Sequence, residues 1–174
     1  MPAPSTCRAG IWGGPEGVFD RLAGEWALQR TIEILDASMS GIARFTRLGG
    51  GLHYREEGLT RLANGQLFNA HREYCFERQP QGFAVFFAGM PPRLFHRIDI
   101  TAAGAGLRGS GAHLCTPDTY DSTYEFLPDG TFVIRHEVRG PRKAYTSSST
   151  FSPPPPAPMN RNLASVADSV PSFR

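Results

Sequence analysis

Residues 24–35, GEWALQRTIEIL, alternate Trp26, Leu28, Ile32 and Ile34 with Glu25, Ala27, Gln29, Thr31 and Glu33. A period of two marks a strand with one buried and one wet face, so the pattern predicts a strand here. Arg30 shares the apolar face. Its guanidinium is therefore carried inward, where it needs partners or a ligand. The preceding VFDRLAG reads as a short amphipathic helical turn, and Gly24 lets the backbone change direction before Trp26.

Strand patterns and turn signals then repeat at short intervals. GIARFTRL (41–48) is closed by Gly49, Gly50 and Gly51, and LHYREEGLTRL (52–62) by Ala63, Asn64 and Gly65, whose Asn-Gly step is a hairpin signal. LFNAHREYCFE, GFAVFFAG and RLFHRIDITA follow, each bounded by proline or glycine. GLRGSGAHLCTPDTY bends at Pro117, STYEFL ends in the turn PDG, TFVIRHEV ends at Gly140 and Pro141, and KAYTSSSTF closes the series. About nine or ten strands with hardly any helix predict an all-β fold, a single antiparallel meander closed into a barrel, with a two-sheet sandwich as the alternative. The expected domain spans 19–151. Residues 1–18 are expected to form a flexible arm from which Trp12 can fold back, and the proline-rich tail 152–174 is expected to be disordered, with recruitment to an aromatic groove as the less favoured role.

Strand parity also sorts side chains to the interior. In LFNAHREYCFE, Phe68, Ala70 and Phe76 share a face with Arg72 and Tyr74. Leu94, Ile98 and Ile100 carry His96 inward, with Phe95 outward; Tyr124 accompanies Phe126; His136 accompanies Phe132 and Ile134; and Leu52 aligns with Tyr54 and Glu56. His113, Cys115 and Tyr145 are further candidates. A buried polar group without a partner costs about 1–3 kcal/mol, so a dry core excludes such a set. Its presence predicts a wet or ligand-filled cavity. Each residue also has a plainer reading: an inward histidine as a satisfied core residue, and Arg30 or Arg72 with Glu56 as a buried ion pair.

Composition narrows the function. A net charge of +2 over 174 residues, with acids and bases mixed, offers no basic stripe for nucleic acid. No apolar run approaches the roughly 20 residues of a spanning helix, and MPAPSTCRAG lacks the apolar core of a secretory signal, so a cytoplasmic protein without a membrane partner is expected. Cys7, Cys75 and Cys115 have neither disulfide nor zinc spacing. No phosphate loop, nucleophile elbow or HxxxH pattern occurs. No cofactor and no metal are expected; haem or metal ligation by His96, His113 or His136 ranks below the other readings. The expected partner is a small molecule, and a homodimer is allowed for.

Two stretches concentrate unusual residues. In HLCTPDTYDSTYEF, Asp118 and Tyr120 place a carboxylate and a phenol at one barrel rim beside His113; in VRGPRKAY, Pro141 fixes a bend that Arg142 and Lys143 follow. The helical turn followed by Gly-x-Trp resembles the entry of calycin and lipocalin-like barrels. In those barrels a basic last-strand residue packs over the first-strand tryptophan, which implies Arg142 or Lys143 over Trp26. ASMSGIARF, LHYREEG, FNAHREYCFE, RLFHRIDI, HLCTPDTYDSTYEF and VRGPRKAY, in this order, resemble the domain-of-unknown-function family 6314 from about Phe19 to Phe151. HLCTPDTY and GPRKAY are the most specific parts. The resemblance implies a calycin-like barrel and assigns no catalytic residue.

Two functions fit. One is binding of a small, partly apolar, anionic or phenolic molecule by Arg30, Tyr54, Glu56, Arg72, Tyr74, His96, His113, Tyr124 and Lys143, with Phe68, Phe76, Phe83 and Phe132 around its body. The other is a metal-independent lyase, isomerase or cyclase in the same cavity. By analogy with phenolic acid decarboxylases, Arg72 would orient an acid, Tyr54 or Tyr74 polarise a phenol or carbonyl, and Glu56 or His96 move the proton.

Overall fold

A computed structural model describes residues 10–155; Cys7 and most of the proline-rich tail lie outside the described residues. A 3-10 turn, Pro15–Gly17, leads into the helix α1 (Val18–Leu22). Ten strands follow: β1 (Gly24–Ile32), β2 (Ala37–Leu48), β3 (Gly51–Arg61), β4 (Leu67–Gln79), β5 (Gly82–Phe87), β6 (Arg93–Ala103), β7 (Gly106–Cys115), β8 (Asp118–Phe126), β9 (Phe132–Arg139) and β10 (Ala144–Ser152). Each pairs antiparallel with its chain neighbour, and β1 pairs with β10, so the sheet is a closed meander barrel and not a sandwich. Every strand has a neighbour on both sides, although β4 joins β5 only over Tyr74–Gln79 and β6 joins β7 only over Asp99–Ala103.

An unbroken meander gives the barrel two unlike ends. Loops 33–36, 62–66, 88–92, 116–117 and 140–143 gather at one end; α1 and Trp12 cover the other. Val18, Phe19 and Leu22 put one side of α1 into the core. Trp12 is buried, its Nε1 donates to the Leu127 carbonyl at 2.8 Å, and its ring stacks on Trp26 at 6.0 Å. Trp26 in turn donates to the Leu22 carbonyl at 2.9 Å. Phe45, Phe126, Phe132 and Phe151 complete this aromatic floor.

The cover over Trp26 is therefore Trp12, not Arg142 or Lys143. The β9–β10 loop that carries those residues lies at the opposite end, because β10 runs from that loop down to the floor.

Two parity readings also change. β1 ends at Ile32; Ile34 is 68% exposed in a turn closed by a bond from the Asp36 amide to the Glu33 carbonyl, with Asp36 at φ 42°. In β6, a register shift opposite Val85 and Phe86 turns Phe95 inward beside His96 and leaves Leu94 exposed. A bulge of this kind inverts the alternation on one side of it.

Candidate ligand-binding site

Inward side chains change in character from floor to mouth. β10 runs upward from Phe151 through Ser149 to Ser147, β4 from Phe76 through Tyr74 and Arg72 to Ala70, and β3 from Leu52 through Tyr54 and Glu56 to Thr60. Bulk fills the floor, and small or polar groups leave the upper barrel hollow. The result is a cavity of about 520 Å³, open at the loop end, whose wall includes Arg30, Glu56, Arg72, Tyr74, Phe87, Phe95, Tyr120 and His136.

Its base is a buried ion pair. Arg30 Nη1 and Nη2 donate to Glu56 Oε1 and Oε2 at 2.6 and 2.7 Å, a bidentate fork, and Arg30 Nε donates to Ser149 Oγ at 2.7 Å. The Tyr54 hydroxyl donates to Glu56 Oε2. Burial by itself would raise the Glu56 pKa, but the bonds and charge of Arg30 outweigh it and hold the carboxyl below its ordinary range. Burial likewise disfavours the Arg30 cation, and Glu56 more than restores it. Tyr54 stays a neutral phenol, pushed well up by burial and by the Glu56 charge.

Arg72 is different. It sits opposite Glu56 in the β3–β4 register, yet its Nε is 3.8 Å from Glu56 Oε1, beyond hydrogen-bond reach, and its side chain is 43% exposed to the cavity and mouth. Both Glu56 oxygens are already bound by Arg30. Arg72 is thus an inward guanidinium without a hydrogen-bonded carboxylate among the described residues; Arg93, whose guanidinium lies 5.4 Å from the centre of the Phe87 ring, also borders the cavity. Tyr74 stands next to it, its phenol pKa raised by burial against the opposing Arg72 charge.

The histidines divide. His96 is buried, its Nε2 2.9 Å from the Tyr124 hydroxyl and its Nδ1 without a partner among the described residues. Burial, then the nearby His136 and His113 charges, depress its pKa to about 3. Tyr124 is fully buried beside it, and burial lifts its phenol far above the usual range. His136 reaches the cavity wall, with Nδ1 2.7 Å from Ser122 Oγ and a pKa depressed to about 4 by burial and by Arg72 and Arg30. Both imidazoles are neutral at pH 7. His113 is half-buried against Phe87 and Phe95, at 5.5 and 5.3 Å between ring centres. Among the described residues no group of three or more His, Cys, Asp or Glu is placed to hold a metal.

Apolar walls come from Tyr74, which the alternation placed inward, and from Phe87 and Phe95, which it did not single out. Tyr74 and Phe95 stack at 5.7 Å and 6°, with Phe87 4.9 Å from Phe95. Phe76, Phe83 and Phe132 lie in the packed core below, and Phe68 is 50% exposed at the mouth. Phe95 was hidden by the bulge, whereas the SSSTF alternation in β10 did carry a signal, small inward groups above a phenylalanine. At the rim, Lys143 Nζ lies 2.7 Å from Asp118 Oδ2 and donates to the Tyr120 hydroxyl at 3.0 Å. Cys115 and Tyr145 also border the cavity.

A meander barrel plugged by tryptophan at one end and hollow at the other is a calycin-like barrel. The chain belongs to a family of unknown function, DUF6314, whose model matches residues 22–153. Among solved structures, the S-type phycobiliprotein lyase CPES from Guillardia theta is similar, with a TM-score of 0.53 and 10% identity over 83% of this chain and 91% of that one. Identity this low concerns the fold alone. No curated protein matches the sequence. Among the described residues no helix is long and apolar enough to cross a membrane.

Proposed function

We propose that the barrel binds a small, partly apolar molecule carrying an acid or phenolic group, with the acid on Arg72 and the body between Tyr74, Phe87 and Phe95. One observation carries this reading: a guanidinium whose only carboxylate neighbour among the described residues is already held bidentate by Arg30 faces an aromatic-walled cavity of about 520 Å³. That volume is in the range of small-molecule pockets, and an unclaimed guanidinium fork matches a carboxylate, sulfonate or phosphate. In this reading Arg30, Glu56 and Tyr54 form the polar floor of the site and position the neighbouring strands.

Anilinonaphthalene sulfonate, an aromatic anion that fluoresces when desolvated, tests it. Saturable binding is expected, weakened about 10- to 100-fold in Arg72→Gln, the size of a hydrogen bond to a charged group. Absence of saturable binding, or equal affinity in Arg72→Gln, refutes it. The second reading, a metal-independent lyase, isomerase or cyclase, is supported by Tyr74 and His136, ionisable groups that a cavity ligand would meet; His96, bonded to Tyr124, lies behind the wall. The structural likeness to a lyase supports this reading by analogy of fold only. Conversion of a bound ligand, followed by mass spectrometry and abolished in Tyr74→Phe, would favour it over simple binding.

A further inference from the structure

HLCTPDTY and GPRKAY, the two segments whose residues stood out in the sequence, meet at the cavity mouth. Asp118 and Tyr120 come from the start of β8, and Gly140 and Lys143 from the β9–β10 loop. Lys143 Nζ sits between them, 2.7 Å from Asp118 Oδ2 and 3.0 Å from the Tyr120 hydroxyl, and it also lies 5.5 Å from the centre of the Tyr120 ring. A Cβ at Gly140 would overlap the Asp118 carboxylate, so the missing side chain there makes room for the acid. Asp118 is accordingly only 16% exposed although it stands on a rim. Asp118 first, then Tyr120, hold the Lys143 pKa above the usual lysine range, which keeps the ammonium charged.

The hydrogen-bond chemistry has a direction. An ammonium can only donate, so the Tyr120 oxygen accepts from Lys143 and the phenolic hydrogen must find another acceptor. None is present for it among the described residues, and Tyr120 borders the cavity. Accepting from a cation polarises the O–H bond and strengthens it as a donor.

From this geometry we propose that Tyr120 donates to a ligand oxygen of phenolate, enolate or carbonyl type, with Lys143 acting through it and Asp118 holding Lys143 in place. The inference rests on the ligand-cavity reading and sharpens it. Arg72 and Tyr120 border one cavity, so the ligand class is an aromatic molecule with an acid at one end and a phenolic or conjugated carbonyl oxygen at the other.

Para-nitrophenol reports on this donor directly, because its ionised form absorbs in the visible. Bound to the wild-type protein, it is expected to ionise about tenfold more readily than free in solution, the size of effect a donor aimed at an anion exerts. Tyr120→Phe is expected to abolish that shift and Lys143→Met to reduce it by more than half. Lys143→Arg, which keeps a cationic donor, is expected to retain most of it, which separates polarisation of Tyr120 from mere packing. Circular dichroism checks that each variant is folded. The same shift in wild type, Tyr120→Phe and Lys143→Met overturns the proposal. If para-nitrophenol fails to bind while anilinonaphthalene sulfonate still binds in an Arg72-dependent way, the Tyr120 assignment fails and the cavity reading stands. If neither binds, both fail.

Discussion

Glu56→Gln isolates the charge at the base of the cavity. The amide keeps the volume of the carboxylate and can still accept from Arg30, but it leaves a guanidinium that is 8% exposed without its counter-ion. Removing one partner of a buried ion pair costs about 3–5 kcal/mol, because the remaining charge stays desolvated. At a urea m-value of about 2 kcal/mol per molar, the unfolding midpoint should fall by about 1.5–2.5 M, with m unchanged. Trp12 and Trp26, both in the floor, provide the fluorescence signal. The apolar double replacement Arg30→Met with Glu56→Leu should cost much less than the single change, since no charge is left behind. The sign of the pH dependence follows from the depressed carboxyl. Its contribution is fully present above the unfolded value near 4.5 and is lost as pH falls through the lower folded value. A Glu56→Gln midpoint within about 0.5 M of wild type, or a double variant no more stable than the single one, would refute this account of the ion pair.

Other predictions address the rest of the barrel. His96 and His136, with folded pKa values near 3 and 4 against an ordinary 6.5, should keep neutral-imidazole NMR shifts down to about pH 5; protonation of both by pH 6 would contradict their burial. Because the unfolded chain takes up protons below pH 6.5 that the folded chain refuses, these two groups should make stability decline as pH falls from there, and His136→Gln should flatten part of that decline in urea titrations at pH 5 and 7. Trp12→Ala should cost about 3–5 kcal/mol and lower the melting temperature, since it opens the floor; an unchanged melt would place the segment before α1 outside the cooperative unit. Gly140→Ala should displace the Asp118 carboxylate and release Lys143, reproducing the Lys143→Met effect on para-nitrophenol with little change in stability.

The barrel was legible because period-two alternation and hairpin turns are local signals. An unbroken run of them specifies both the meander and its closure. The inward polar set was legible for the same reason: Arg30, Tyr54, Glu56 and Tyr124 are all buried as parity requires. What alternation cannot carry is which of these groups satisfies which. The Arg30 fork closes on Glu56, 26 residues away, while its Nε reaches Ser149, 119 residues away, contacts set by the register of β1 with β10 and by the reach across the barrel. That pairing removes Arg30 from the list of free cations and leaves Arg72, a distinction invisible when both are simply inward arginines. The bulge between β5 and β6 hid Phe95 by moving it from the outer face to the cavity wall. Trp12 lacked any periodic context; that it folds back was expected, but its place as the floor's outer layer is set by its stack on Trp26.

The central claim is that the hollow end of the barrel is a binding site organised by Arg72 and aromatic walls. A crystal structure of the protein soaked with anilinonaphthalene sulfonate tests it most directly. The account predicts the sulfonate within hydrogen-bond distance of the Arg72 guanidinium and the rings against Tyr74, Phe87 and Phe95. Density for the probe only on the outer surface, with the upper barrel closed by its own side chains, would contradict it.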